Sequence, residues 1–253
     1  MRRILLSGCN GRMGRAVSQL CENNQEAYIS AGLDLNTVKQ FAYPVYADPM
    51  EYGGRADVAL DFSSPSALTP LLAYCQSRSM PLVLAITGYD EAQQALIREA
   101  SAHIPIFQSG NLSLGINLLI DLVRRACAVL GEGFDVEIIE RHHNQKVDAP
   151  SGTALMLYGA AAEALPYQPA PVYDRHGVHA KRDRREIGLH AVRGGSIVGD
   201  HEVVFAGHHE VISLSHSAGS REVFAAGALR AALFMAGVSR PGRYDMNDLL
   251  NKN

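Results

Sequence analysis

Cysteine is scarce and scattered in this 253-residue chain. Cys9, Cys21, Cys75 and Cys127 are widely spaced and form no Cys-x-x-Cys pair, so neither a disulfide framework nor a zinc site is suggested. A reducing compartment, hence the cytoplasm, is the expectation. Long apolar runs are missing too. No stretch reaches the roughly 18 residues of a membrane span, and the longest candidate, 225–238, is broken by Gly227 and Arg230. Met1-Arg2-Arg3-Ile4-Leu5-Leu6 offers three apolar residues before Ser7-Gly8, short of the about 7–15 in a secretory signal. Nor does one sign of charge dominate. Lys and Arg total 23 against 26 Asp and Glu, a formal net charge of -3, so neither nucleic acid nor a membrane is an expected partner. Anion binding must come from local clusters.

What is present is ordinary globular composition, 47% hydrophobic and 19% charged, which excludes a disordered chain. The first third alternates apolar strand signals (3–7, 28–34, 58–62, 81–86, 104–107) with helical ones (12–23, 66–76, 91–102). That order predicts an α/β fold of Rossmann type, with a parallel sheet and right-handed crossovers. After Gly110 the pattern changes. A long amphipathic helix over about 116–130 stops at Gly131-Glu132-Gly133. Strands follow at 135–141, 187–192, 202–206 and 210–215, the last two joined by Gly207-His208-His209 as a hairpin. A helix at 153–165 precedes a Pro- and charge-rich stretch, 166–185, whose Lys181-Arg182-Asp183-Arg184-Arg185 run reads as a solvated loop. Residues 219–238 are helical again. The expected organisation is a dinucleotide-binding domain over 1–112 and an inserted α+β substrate and oligomerisation domain of mixed open sheet over 113–219. A helical segment, 220–253, then returns to the first domain. The crossings near 111–115 and 217–220 are the expected hinges.

Gly8-Cys9-Asn10-Gly11-Arg12-Met13-Gly14 lies between the first strand and the first helix. Its Gly-x-x-Gly-x-x-Gly spacing differs from the commoner Gly-x-Gly-x-x-Gly, yet the physics is the same. Glycines allow a tight turn and close approach to a pyrophosphate, and the helix start points N–H groups at its charge. Asp34, at the end of the second strand, is placed to accept from ribose hydroxyls. A carboxylate followed by Leu35 repels a 2′-phosphate, so NADH is expected over NADPH, although Arg12 could reach the adenosine side. Cys9 reads as a small residue tolerated in the turn, not as a reactive thiol.

His142-His143-Asn144-Gln145-Lys146-Val147-Asp148-Ala149-Pro150-Ser151-Gly152-Thr153-Ala154 leaves a strand, crosses a loop and enters a helix. Two histidines and a lysine concentrate positive charge and proton donors. Ser151 or Thr153 as N-cap, with the N–H groups around Gly152, suits a carboxylate. Together these fit an anionic substrate protonated as hydride arrives. No third ligand stands at zinc spacing, so no metal is expected.

This segment resembles the signature of the dihydrodipicolinate reductases. So do the glycine loop, Asp61-Phe62-Ser63, Asn111 through Asn117, Arg193-Gly194-Gly195 through His201, and Tyr244-Asp245-Met246. The resemblance covers nearly the whole chain. It implies NAD(P)H-dependent reduction of a small cyclic dicarboxylate, 4-hydroxy-tetrahydrodipicolinate, on the route to diaminopimelate and lysine, by a homotetramer. It further implies His142 as the acid/base residue and Lys146 as proton donor, with His143, Ser151, Gly152 and Thr153 holding the dicarboxylate. The dinucleotide would contact Gly8, Cys9, Asn10, Gly11, Arg12, Met13, Asp34, Ala85, Ile86, Thr87, Ser109, Gly110, Asn111 and Leu112. Ala85 departs from the family, which usually has glycine there. Neighbouring positive charge is expected to make the Lys146 proton easier to release. Two rivals are another two-domain NAD(P)-dependent amino-acid dehydrogenase and a non-catalytic nucleotide-sensing protein. The first would lack the His-His-x-x-Lys loop; the second has no need of a proton donor.

Overall fold

In the computed structural model, which describes residues 1–251, the chain divides into two units: Met1–Ser113 with the segment from Glu222 onward, and Leu114–Arg221. The last two positions of the expected C-terminal segment, 252–253, lie outside the described residues.

The first unit opens with β1 (Arg2–Ser7), whose Ile4, Leu5 and Leu6 are fully buried, as befits a strand covered on both faces. Helix α1 (Arg12–Glu22) buries Gly14, Val17, Ser18 and Cys21, the stripe of an amphipathic helix. Then come β2 (Ala27–Leu33), the two-residue β3 (Val45–Tyr46), β4 (Val58–Asp61), α2 (Leu68–Ser77), β5 (Leu82–Leu84), α3 (Glu91–Ala100) and β6 (Pro105–Gln108). A capping box starts α3: Asp90 accepts from the Gln93 N–H, and the Gln93 side chain accepts from the Asp90 N–H.

The second unit holds α4 (Leu114–Leu130), β7 (Asp135–His142), α5 (Gly152–Ala164), β8 (Ala170–Val172), β9 (Glu186–Arg193), β10 (Asp200–Ala206) and β11 (Val211–Ser217). The chain re-enters the first unit as α6 (Glu222–Met235), β12 (Gly242–Tyr244) and α7 (Met246–Leu250). There α6 packs on α1, and a Cβ at Gly227 would collide with the Leu112 carbonyl, so the two backbones touch.

The first sheet is parallel in the order β12-β6-β5-β4-β1-β2-β3. Its order reverses between β1 and β4, and ligands of such sheets bind outside the carboxyl ends at that reversal. The second sheet, β11-β10-β7-β9-β8, is mixed: β10 runs antiparallel to β7 and β11, whereas β9 runs parallel to β7 and β8. Helices α4 and α5 cover one face, where Ile116, Val123, Ile138, Leu157, Leu189 and Phe205 form the core.

Several expectations are corrected. The strand read over 81–86 ends at Leu84, after which Ala85 makes one more bond, to the Asp61 carbonyl, and the chain leaves the sheet. The segments β3, β8, β12 and α7 were not read from the sequence, because two to five residues carry no measurable period. The charge run is not wholly solvated. Arg182 donates to Asp135 Oδ1 at 2.8 Å, to Glu137 Oε1 at 3.0 Å and to the Val136 carbonyl, because its planar fork meets the carboxylates at the start of β7.

Candidate active site

In the first unit, the glycine loop and the turn after β4 grip each other. Gly8 has φ 73°, and a Cβ there would lie 2.6 Å from the Phe62 carbonyl and the Ser63 nitrogen. A Cβ on Gly14 would strike the Gly8 carbonyl oxygen. Asp61, fully buried, holds the Phe62–Ser64 turn by accepting from the Ser63 N–H at 3.0 Å and its hydroxyl at 2.5 Å. Burial pushes the Asp61 carboxyl upward. Gly11 caps α1 with no side chain, leaving the first-turn N–H groups to an anion.

This shared wall borders two cavities. One, about 400 Å³, is lined by Gly8, Gly11, Asp34 and Leu35 with residues 62–64. The other, about 550 Å³, is lined by Met13, Ala85, Ile86, Thr87, Ser109, Gly110, Asn111 and Leu112, again with residues 62–64, and by Phe224. A glycine cradle that no Cβ could enter, flanked by two such cavities, fits a dinucleotide. Asp34 is fixed there: Oδ2 accepts from the Asn10 N–H and Oδ1 from the Asn36 N–H, each at 3.0 Å.

Three residues expected at the cofactor line neither cavity. Cys9 is fully buried, its thiol pushed up to about 11 by burial and then by Asp34, so only its backbone can serve. The Asn10 side chain donates to the Asn36 and Val38 carbonyls. Arg12 is exposed on the first turn of α1. The Phe62–Ser64 turn and Phe224 were missed as site residues. Asp61-Phe62-Ser63 at a strand end was the available signal for the turn.

In the second unit, β7 presents Glu140 and His142 on its buried face, two residues apart as strand geometry dictates. Sheet register then sets Arg193 of β9 beside His142 and His201 of β10 beside Glu140. The Glu140 carboxylate accepts four bonds. His142 Nδ1 is at 2.6 Å, Arg193 binds both oxygens at 2.7 Å, and the Ser151 N–H is at 3.1 Å. Burial acts upward on the Glu140 carboxyl, but the bonds from Arg193, His142 and Ser151 outweigh it and hold the group below its ordinary value.

Ser151, not Thr153, caps α5, its Oγ accepting from the Ala154 N–H at 3.1 Å and lying 3.1 Å from His201 Nε2. The His201 ring packs edge-on against His142 with centroids 5.1 Å apart. Burial, then His142, lowers the His201 imidazole to about 4. Gly152 is exposed, with open space where a Cβ would stand.

The positive cluster is less bare than its sequence suggested. Lys146 Nζ lies 2.8 Å from Asp148 Oδ1, so its charged neighbour is an anion, not the cation on which the sequence expectation relied. That pair, and the bonds from Lys146 and Gly152, hold the Asp148 carboxyl below its ordinary value. Arg193 also donates to the Asp148 carbonyl at 2.7 Å, while Asn144 N–H reaches the Gly195 carbonyl and Gly194 N–H the His142 carbonyl. Glu140, Arg193 and His201 were not singled out as site residues. Among the described residues no group of His, Cys, Asp or Glu is arranged to hold a metal, and no helix is long and apolar enough to cross a membrane.

Comparison with known proteins converges on one family. Residues 2–112 match the model described as dihydrodipicolinate reductase, N-terminus, and residues 115–250 that described as dihydrodipicolinate reductase, C-terminus. The 4-hydroxy-tetrahydrodipicolinate reductase of Caldanaerobacter subterraneus subsp. tengcongensis is 51% identical over 252 residues, 100% of this chain and 99% of that protein. The enzyme of that name from Clostridium tetani is 47% identical over 251 residues, 99% and 98% of the two chains. Among solved structures, the dipicolinate-bound dihydrodipicolinate reductase from Paenisporosarcina sp. TG-14 shares the fold, with TM-score 0.81 at 23% identity, covering 98% of this chain and 99% of that one. A C. glutamicum DAP dehydrogenase is more distant in fold, with TM-score 0.57 at 14% identity over 100% and 96% of the two chains.

Proposed function

Since the chain belongs to the dihydrodipicolinate reductase family, we propose how its residues divide the work of that family's reaction. It is an oxidoreductase that uses NAD(P)H to reduce 4-hydroxy-tetrahydrodipicolinate to tetrahydrodipicolinate in diaminopimelate and lysine biosynthesis. The first unit is the dinucleotide-binding domain, and the second the substrate-binding and oligomerisation domain.

When bound, the dinucleotide supplies the hydride. The glycine loop and first turn of α1 would hold its pyrophosphate, Asp34 its ribose hydroxyls, and the cavity lined by 85–87 and 109–112 its nicotinamide half. Lys146 gives the proton to the reduced substrate and His142 serves as acid/base residue. His143, Ser151, Gly152 and Thr153 hold the dicarboxylate. Gly152 supports this assignment, because it stands open at the N-terminal end of a 13-residue helix whose Ser151 cap is in place. NADH is the preferred cofactor and NADPH a weaker one. The assembly is a homotetramer and its compartment the cytoplasm. Four cysteines that remain free thiols suit a reducing compartment.

One observation supports the division of labour: His142 at the end of β7, Lys146 in the loop that follows and the mouth of α5 where that loop ends are joined on a scaffold pinned by the buried carboxylate of Glu140. The test follows NADH oxidation with the dihydrodipicolinate-synthase product as substrate, comparing Lys146→Ala and His142→Ala with the parent chain. Each variant is expected to lose about 10²–10⁴-fold in turnover, with NADH affinity intact. Near-parental turnover in both removes the assignment.

A further inference from the structure

We propose that Glu140 is the positioning residue of this site, fixing which nitrogen of His142 carries the proton, and that Gly199 is glycine so that the other nitrogen stays clear. The proposal rests on the functional reading above for His142, and its test is chosen so that the two can fail separately.

The charge state of Glu140 follows from its partners. Arg193 engages both carboxylate oxygens at 2.7 Å, the fork-to-fork geometry of a guanidinium with an ionised carboxylate. An ionised carboxylate only accepts, so at 2.6 Å the His142 Nδ1 must be the donor. Neutral His142 is therefore the Nδ1–H tautomer. Its Nε2 carries the lone pair that takes up a proton and, once charged, the proton that is given away.

The opposite side of the ring is set by a missing side chain. Gly199 has no left-handed conformation to explain its identity. A Cβ built on it would lie 3.0 Å from His142 Nε2 and 3.3 Å from its Cδ2. Retreat of the ring from such a contact is opposed by Glu140, which holds Nδ1, and by the His201 ring, T-shaped against it at 5.1 Å between centroids. Any side chain at 199 would therefore crowd the nitrogen on which the chemistry depends. The same carboxylate accepts from the Ser151 N–H and Arg193 donates to the Asp148 carbonyl, so the far end of the loop carrying His143 and Lys146 is held by Glu140 and Arg193 and its near end by the His142 bond to Glu140.

The experiment has two arms. Histidine-labelled ¹⁵N NMR of the intact protein, with His142 assigned by its loss in His142→Gln, reads the tautomer; the expected spectrum shows a protonated Nδ1 and an unprotonated Nε2. Glu140→Gln, Arg193→Lys and Gly199→Ala are then assayed for turnover, substrate KM, NADH affinity and thermal unfolding. Glu140→Gln is expected to lower kcat about 10²-fold, a general acid–base contribution, with NADH affinity unchanged. Gly199→Ala is expected to lower kcat with little change in unfolding temperature. An Nε2–H tautomer in the parent protein overturns the proposal, as does a folded Glu140→Gln variant with parental kcat. Should Glu140→Gln fail to fold, the parental spectrum and Gly199→Ala still decide. Should His142→Ala itself retain turnover, the catalytic assignment fails while the tautomer measurement stands.

Discussion

At the scale of single residues, Asp34, Glu140 and His201 give the sharpest expectations. Asp34, fixed by the Asn10 and Asn36 N–H groups, is followed by Leu35, which is 95% exposed, so no cation from that position offsets it. A 2′-phosphate placed there meets a negative charge. The ratio of kcat/KM for NADH over NADPH is expected to exceed one and to fall in Asp34→Asn; a parental preference for NADPH of about tenfold, roughly 1.4 kcal/mol, contradicts the reading. His201 gives a stability prediction with a definite sign. Its folded value, about 4, lies below its ordinary 6.5, so between those pH values the unfolded chain binds a proton that the folded chain does not. Stability therefore falls as pH drops from 6.5 to 4, by on the order of 3 kcal/mol, and this contribution levels off below 4. Glu140, held below its ordinary 4.5, adds a further loss once pH passes under that value. Denaturant unfolding at stepped pH should show the upper window flattened in His201→Gln. An unchanged slope there would show that His201 is not the group responsible.

At the scale of elements, the glycines separate scaffold from site. Gly14, in the first turn of α1, sits against the Gly8 carbonyl with no room for a methyl group. Gly14→Ala must push the helix from the loop, at a cost of about 1–3 kcal/mol for overpacking, and weaken NADH binding with it. Gly152 is the opposite case, since nothing lies within 4 Å of the position its Cβ would take. Gly152→Ala should leave the unfolding temperature unchanged within about 1 °C, in keeping with an exposed site. It should raise KM for the dicarboxylate or weaken binding of 2,6-pyridinedicarboxylate. Equal loss of stability in both variants, or no change in KM for Gly152→Ala, defeats the distinction. Element boundaries were legible where they rest on local chemistry. The Asp90–Gln93 capping box opens α3 and Gly131, at φ 54°, ends α4. They were not legible where a strand exists only because a neighbour pairs with it, as β12 does with β6.

At the scale of the molecule, the second unit carries α4 and α5 on one face of its sheet, and among its described residues no helix of that unit covers the other. On β7 the two faces alternate, Val136, Ile138, Glu140 and His142 buried against the helices, with Glu137, Ile139 and Arg141 half-buried on the other side. Sedimentation at micromolar concentration is expected to give four times the mass of one 27.3 kDa chain. Val204→Glu, on the same open face of β10, should reduce that mass. A monomeric parent protein refutes the assembly. The sequence alone determined the Rossmann-type unit and the glycine loop, since each depends on adjacent residues whose sterics or periodicity are local, and it showed the family and the second sheet through a resemblance of motifs spread over nearly the whole chain. Only the tertiary structure decided how the charges pair. His142 meets Arg193 across a parallel strand pair and Glu140 meets His201 across an antiparallel one. Register between strands so far apart in sequence leaves no mark on the residues near either histidine, and so the Arg193 fork on Glu140 was not legible, whereas the carboxylate partners of His142 and Lys146 stand two positions away in the chain itself.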